Sequence, residues 1–172
     1  RLRHKSHLIS YSLTITWFLF LPNAFYIITD LFHLYPRPGV PQWFDLVLIL
    51  SFAWNGIMLG CASLFDMHAL IKERFTWLIG WLFAGTTLFL SSFGIYLGRF
   101  DRWNSWDLLH HPIRLFSDVL HYISTPSDYP GVWGVTLCYT LLMWVLYATV
   151  YQLTRVQSGR YRAELVADKK YR

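Results

Sequence analysis

Four stretches of this chain contain no charged side chain, and they constrain its fold more than any other feature. No Asp, Glu, Lys or Arg occurs in residues 6–29, 46–65, 75–98 and 129–154, which are windows of 24, 20, 24 and 26 residues. About 20 apolar residues of helix cross the hydrocarbon core of a bilayer, so each window is long enough to span it. A soluble bundle would need a polar face on every helix, and these windows lack one. The chain is therefore expected to cross a membrane several times.

The charge-free windows predict an all-α membrane protein, a bundle of four transmembrane helices. The expected spans are residues 8–33, 46–65, 75–98 and 132–153, within a single polytopic membrane domain, residues 1–156, that a basic tail, residues 157–172, follows. The outer segment between the last two spans, residues 99–131, carries apolar side chains at steps of three and four. These are Ile113, Phe116, Val119, Leu120 and Ile123. This spacing predicts an amphipathic helix lying in the membrane interface.

Lysine and arginine are distributed unevenly among the connections. Eleven of the fifteen lie at the N-terminus, in the short inner loop at residues 66–74, or from Arg155 onward; the other four are Arg37, Arg99, Arg102 and Arg114. Because basic residues favour cytoplasmic loops, this bias predicts both termini in the cytoplasm and residues 30–45 and 99–131 outside. In a bacterium that means the inner membrane with a periplasmic outer face. The net charge of +5 belongs to these loops, so no nucleic-acid partner is expected.

Polar side chains recur at the outer ends of two spans. Asn23, Tyr26, Asp30 and His33 are spaced by three, four and three residues, which stacks them on one helix face. Ser92, Tyr96 and Arg99 form a similar stripe on the third span at the same expected depth, and Asn55 lies within the second span. Polar groups inside a membrane are costly unless they face a partner, water or a ligand. These eight residues are the candidate polar cluster.

Two motifs carry a family resemblance. At LPNAFYIITDLFHL, residues 21–34, and SSFGIYLGRFDRWNSWD, residues 91–107, the chain resembles the bacterial membrane proteins of Domain of Unknown Function 1361, over roughly residues 15–150. The resemblance implies a multi-span protein with further helices before Arg1, and it implies no established activity. The matching motif positions are Pro22, Asn23, Tyr26, Asp30, His33, Trp54, Asn55, Arg99, Trp103, Asn104 and Trp106. Many members have a proline where this chain has Phe25, so the predicted bend in the first span depends on Pro22 alone.

One hypothesis is a membrane-embedded, metal-dependent enzyme of hydrolase type. Asp30 and His33, at i and i+3, can ligate one metal ion, with His110 or His111 as a further ligand. The competing interpretation is an ion pair between Asp30 and Arg99, and it is favoured because two ligands do not make a metal site. No metal site and no cofactor are assigned, and whether the protein is an enzyme stays open.

Two other hypotheses need no reaction. Arg99 and Arg102, with Trp103 and Trp106, are candidates for binding an anionic headgroup or a small acid, as part of a lipid-binding or transport component. Alternatively, the polar cluster fixes helix register in a structural or accessory subunit. A structural, accessory or lipid-contacting role is favoured over catalysis, with membrane lipids and other membrane subunits as the expected partners. The sequence leaves the ligand and the identity of those subunits open.

Overall fold

The computed structural model describes the backbone of residues 2–36 and 38–170 and the side chains of residues 11–36 and 38–157. Within these residues the chain forms six α-helices: α1 (Leu2–Tyr26), α2 (Gln42–Arg74), α3 (Trp77–Arg99), α4 (Asp107–His110), α5 (Pro112–Ser124) and α6 (Pro130–Lys170). Two 3₁₀ helices, Ile27–His33 and Pro126–Asp128, complete the order, and no strand forms in this described part. The predicted all-α fold is confirmed.

Within the described residues, four segments are long and apolar enough to cross a membrane. They are Tyr11–His33, Gln42–Arg74, Trp77–Arg99 and Pro130–Gln157. Each overlaps one of the four predicted spans and reaches the roughly 20 residues that a bilayer requires. The predicted amphipathic helix is present as α5, whose apolar side chains at Ile113, Phe116 and Leu120 are exposed. The chain is a multi-pass helical membrane protein.

Helix α3 lies at the centre of the bundle and packs against α1, α2 and α6. Its buried stripe contains Ala84, Leu88 and Ile95. Helices α1 and α2 approach each other closely at two glycines. A methyl group at Gly56 would overlap the carbonyl of Ala24, and one at Gly60 would lie 2.7 Å from Cε1 of Phe25. Small residues permit this backbone approach, which is a common basis of helix association in membranes.

The predicted inner loop at residues 66–74 is helical instead. Helix α2 continues to Arg74, and the chain reverses over Phe75 and Thr76, whose hydroxyl accepts a hydrogen bond from the Ile79 amide (3.3 Å). The first charge, Asp66, marks the end of the hydropathic window but not of the helix, because exposed charged side chains can lie on one face while the other stays buried. As a result, His68 packs inside the bundle.

Two ends of the bundle are distinguished below. The Arg99 end comprises the 3₁₀ segment after α1, the end of α3, and residues 100–129; the His68 end comprises the last turns of α2, the start of α3 and the facing part of α6. In the predicted tail, residues 157–172, the α6 backbone stays helical to Lys170. The described side chains do not include those of the tail beyond Gln157 or that of Arg37. They also exclude the N-terminal basic residues, Arg1, Arg3 and Lys5. The predicted bend at Pro22 stays a prediction.

Candidate functional site

The Arg99 end brings together the two predicted polar stripes through Asp30 and Arg99. Nη1 of Arg99 lies 3.8 Å from Oδ1 of Asp30, and the Phe32 ring faces the same guanidinium at 5.5 Å. The Arg99 side chain is 12% exposed, whereas that of Asp30 is 48% exposed. A long ion pair with one exposed partner contributes at most about 1 kcal/mol to stability. The geometry is that of an ordinary ion pair between two helices.

The other members of the stripes have separate partners. Asn23 donates a hydrogen bond to Ser105 Oγ (3.3 Å), and the Tyr26 ring packs against Gly98. Ser92 is buried and donates to its own helix at the Leu88 carbonyl (2.9 Å).

Tyr96 continues this pattern of local contacts. Its ring stacks on Phe100 and meets the edge of Tyr122, while His33 is exposed. The predicted cluster is therefore a set of local contacts along one end of the bundle and not one continuous network.

Asn55 points out of the bundle. Its side chain is exposed and donates to the Ser51 carbonyl of its own helix (2.9 Å). A different face of α2 carries Gly56 and Gly60, which contact α1. Asn55 therefore does not face the polar cluster in which it was predicted.

The four residues proposed for an anionic headgroup occupy different surroundings. Arg99 is turned toward Asp30, whereas Arg102 is exposed in the turn after α3 with a left-handed φ of 60°. Trp106 packs edge-on against Phe20 of α1. Trp103 donates from Nε1 to Asp118 Oδ2 (3.2 Å) and belongs to the wall of two cavities. The structure groups Trp103 with a different set of polar residues.

The metal hypothesis requires a third ligand beside Asp30 and His33. Among the residues whose side chains are described, no three His, Cys, Asp or Glu side chains lie close enough together to hold a metal ion. His110 turns toward its own helix, where Nδ1 lies 3.0 Å from the Trp106 carbonyl. Zinc sites use three or four protein ligands, and this geometry supplies no such set to Asp30 and His33.

A groove of about 470 Å³ opens at the Arg99 end between α1, α3 and the outer helices α4 and α5. Its walls are mainly apolar and include Pro22, Phe93, Leu97, Leu115, Val119 and Ile123. The groove passes Gly94 and Gly98, where α3 has no side chain to fill the space. Its volume lies within the range of pockets that hold small organic ligands.

Beside the groove lies a polar cavity of about 330 Å³. Seven residues line it: Asp101, Trp103, Arg114, Asp118, His121, Tyr122 and Tyr129. Tyr122 donates to Asp101 Oδ2 (2.9 Å), and the Arg114 guanidinium lies 5.6 Å from the Trp103 ring centre. Trp103 separates the cavity from the groove, because it lines both.

The surroundings of the cavity raise the pKa of two of its groups. Burial, followed by the nearby Asp118 carboxylate, raises the pKa of Asp101, and the hydrogen bond from Tyr122 offsets part of that rise. Burial and then the bond to the Asp101 carboxylate raise the pKa of Tyr122 well above its ordinary value. A cation near the Asp101 carboxylate would stabilise its charged form in these surroundings.

Sequence reasoning missed this cavity, although the signal was present. Arg114, Asp118 and His121 follow at steps of four and three, so they share the polar face of the amphipathic helix. The prediction of an interfacial helix used only the apolar face and assigned no role to the polar face. In the structure, α5 folds back over Asp101 and Trp103, so its polar face forms one wall of the cavity.

A second polar centre, at the His68 end, was also missed. His68 is 1% exposed, and its Nδ1 lies 2.7 Å from the Tyr147 hydroxyl. Its ring stacks on Tyr151 and meets the edge of Trp81, while Nε2 has no partner in the described part of the chain. The signal was the buried stripe of α2, in which His68 follows Leu64 and Cys61 at steps of four and three.

A family described as "Protein of unknown function (DUF1361)" matches residues 1–146. The match covers most of the 172 residues, and the chain belongs to this family. Neither a curated protein nor a solved structure matches it. The family assignment agrees with the two motifs at residues 21–34 and 91–107, and it supplies no activity.

Proposed function

Because the family carries no assigned activity, we propose from the geometry of the Arg99 end that this membrane protein binds a lipid in the groove between α1, α3 and α5. The observation that carries the proposal is an apolar groove that adjoins a polar cavity across one shared side chain, Trp103. A lipid likewise joins an apolar chain, which fits the groove, to a polar headgroup, which fits the cavity. We place the protein in a bacterial inner membrane with cytoplasmic termini and a periplasmic groove.

The chemistry of the groove favours an apolar occupant. Two of its few polar side chains are paired, because Asn23 donates to Ser105 Oγ, and at its rim the Asn104 backbone N–H donates to Asp107 Oδ2 (2.7 Å). Polar groups that already have hydrogen-bond partners need none from a ligand. Burial of a ligand's apolar surface against the apolar walls is favourable by about 25 cal/mol per Å². A hydrocarbon chain meets both conditions.

Helix α5 supports access from the bilayer. Val119 and Leu115 line the groove, while the neighbouring Leu120 is 63% exposed on the side that would meet lipid. A helix that is apolar on two adjacent sides lies naturally at the interface and lets a chain pass from the bilayer into the groove. The groove would then hold one lipid more firmly than the surrounding bilayer does.

The proposal can be tested with a substitution that fills the groove. Val119→Trp places an indole inside it, and Leu120→Trp makes the same change one residue along on the exposed side. After purification in a mild detergent, native mass spectrometry should find one retained lipid on the wild type and on Leu120→Trp. Retention by Val119→Trp should fall at least about tenfold, which corresponds to about 1.4 kcal/mol. Equal retention by both variants would overturn the proposal.

An accessory role is the second candidate, and the exposed face of α2 favours it. Phe52, Trp54 and Asn55 are exposed there in the middle of a charge-free span. A polar side chain at this depth can form hydrogen bonds to another helix, which typically contribute about 0.6–2 kcal/mol. Crosslinking in native membranes should join this face to a stoichiometric subunit that Asn55→Leu releases. A monodisperse monomer in membranes would contradict the accessory role.

A further inference from the structure

The polar cavity at the Arg99 end has a charge balance that selects among ligands. It holds two carboxylates, Asp101 and Asp118, against the single guanidinium of Arg114, with His121 at the same wall. A purely anionic group would meet two like charges and one opposite charge. A group that carries both a cation and an anion would find a partner for each.

We propose that this cavity binds the headgroup of a zwitterionic phospholipid, with a primary ammonium at Asp101 and Asp118 and the phosphate at Arg114. The proposal rests on lipid binding in the adjoining groove and names the class of lipid. A primary ammonium offers three N–H donors, which carboxylate oxygens accept. A quaternary ammonium offers none and would add no hydrogen bond to either carboxylate.

The two carboxylates are already oriented. Asp101 receives the Tyr122 hydroxyl at 2.9 Å, and Asp118 receives the Trp103 indole at 3.2 Å, each at Oδ2. A carboxylate has about four acceptor positions, so one hydrogen bond fixes the group and leaves capacity for a ligand. Fixed acceptors lose little conformational freedom when a cation binds.

Aromatic rings complete the cation site. The ring centres of Tyr122 and Tyr129 are 5.0 Å apart, and Tyr129 also meets His121 at 5.4 Å. Aromatic faces attract ammonium groups, with about 0.5–2 kcal/mol for each contact. The raised pKa of Asp101 agrees with this assignment, because an ammonium would offset the burial and the repulsion from Asp118 that cause it.

Arg114 is placed for the phosphate. Its guanidinium is held 5.6 Å from the centre of the Trp103 ring, the same ring that divides cavity from groove. A planar guanidinium can form two parallel hydrogen bonds to phosphate oxygens. Along α5, the cavity residues Arg114 and Asp118 immediately precede the groove residues Leu115 and Val119. Head and chain of one lipid can therefore meet consecutive residues of one helix.

The test compares lipids that share their acyl chains and differ in headgroup. Wild-type protein in detergent should retain phosphatidylethanolamine about tenfold better than phosphatidylcholine or phosphatidylglycerol in native mass spectrometry. Asp118→Asn keeps an acceptor for Trp103 but removes the charge, so this preference should disappear while total lipid retention persists. The control, Asp128→Asn, removes an exposed carboxylate outside the cavity and should keep the preference.

The outcomes separate the two proposals. Loss of lipid by Val119→Trp with an unchanged headgroup preference in Asp118→Asn would overturn the headgroup assignment and leave lipid binding in place. If Val119→Trp retains lipid as the wild type does, lipid binding itself fails. The last measurement is competition with water-soluble glycerophosphoethanolamine. If it displaces the lipid at equal concentration, the cavity binds a free solute and the lipid assignment fails. If displacement requires a large excess, the result supports a lipid.

Discussion

The two ends of the bundle hold polar side chains in opposite ways. At the His68 end, one histidine is almost fully buried among Tyr147, Tyr151 and Trp81. At the Arg99 end, polar residues pair locally around a groove and a cavity that remain open. Enclosure favours rigidity, whereas open space beside oriented polar groups favours a ligand. The comparison separates a packing centre from a candidate binding site, and substitutions at each end test it.

The largest effect is expected from one methyl group at the closed end. In Gly80→Ala the new Cβ would lie 2.9 Å from Cδ2 and Nε2 of His68 and 3.1 Å from Cβ of Lys72. The imidazole cannot move aside, because Tyr147 and Tyr151 hold it. Overpacking of this kind costs about 1–3 kcal/mol. Thermal unfolding in detergent should show a clear loss of stability.

The control is Gly94→Ala on the same helix at the open end. Its Cβ would meet Pro22 at 3.5 Å, an ordinary contact distance. Alanine is favoured over glycine inside a helix by about 0.5–1 kcal/mol, so this variant should be as stable as the wild type or more so. If the two substitutions lower the unfolding temperature equally, the ends do not differ in packing as described.

An intermediate effect is expected from Asp101→Asn, and it should depend on pH. Because the folded protein raises the pKa of Asp101, it binds more protons than the unfolded chain between the ordinary and the raised pKa. Stability from this group is therefore fully present below the ordinary pKa and is lost as pH rises through the folded-state pKa. The unfolding temperature of Asp101→Asn relative to wild type should rise from acidic to neutral pH. Parallel stability curves for Asp101→Asn and the wild type would contradict it.

The smallest effect is expected at the Asp30–Arg99 pair. Asp30→Asn removes a half-exposed partner at 3.8 Å, so the loss of stability should stay below about 1 kcal/mol. His33→Ala, at an exposed neighbour, should have a similarly small effect. Elemental analysis of the purified variants belongs to the same experiment. Loss of a stoichiometric metal from either variant would favour the enzyme hypothesis over the non-enzymatic roles.

Much of the fold could be predicted because membrane spans follow from local composition. The windows without charge located all four long helices, and the apolar period located α5. The Asp30–Arg99 contact was also predicted, because two stripes at one depth bring opposite charges together. These features depend on depth and periodicity, which a sequence records directly.

The contacts that were not predicted depend on how each helix is rotated about its own axis, and composition does not record this rotation. Asn55 and Gly56 are adjacent, yet one is exposed and the other contacts α1. His68 was assigned to a loop because Asp66 interrupts the charge-free window, although α2 continues. The cavity joins Asp101 to Tyr122, 21 residues apart, through a fold-back of α5. Only tertiary packing decides such contacts.

The 3₁₀ segment after α1 also changes how far this helix reaches. A 3₁₀ helix rises about 2.0 Å per residue and an α-helix about 1.5 Å, so the seven residues from Ile27 to His33 extend about 14 Å instead of about 10.5 Å. The segment gains about 3.5 Å along its own axis without another residue. Asp30 therefore lies farther from the apolar part of α1 than an unbroken α-helix would place it, and the first span reaches farther than its residue count suggests.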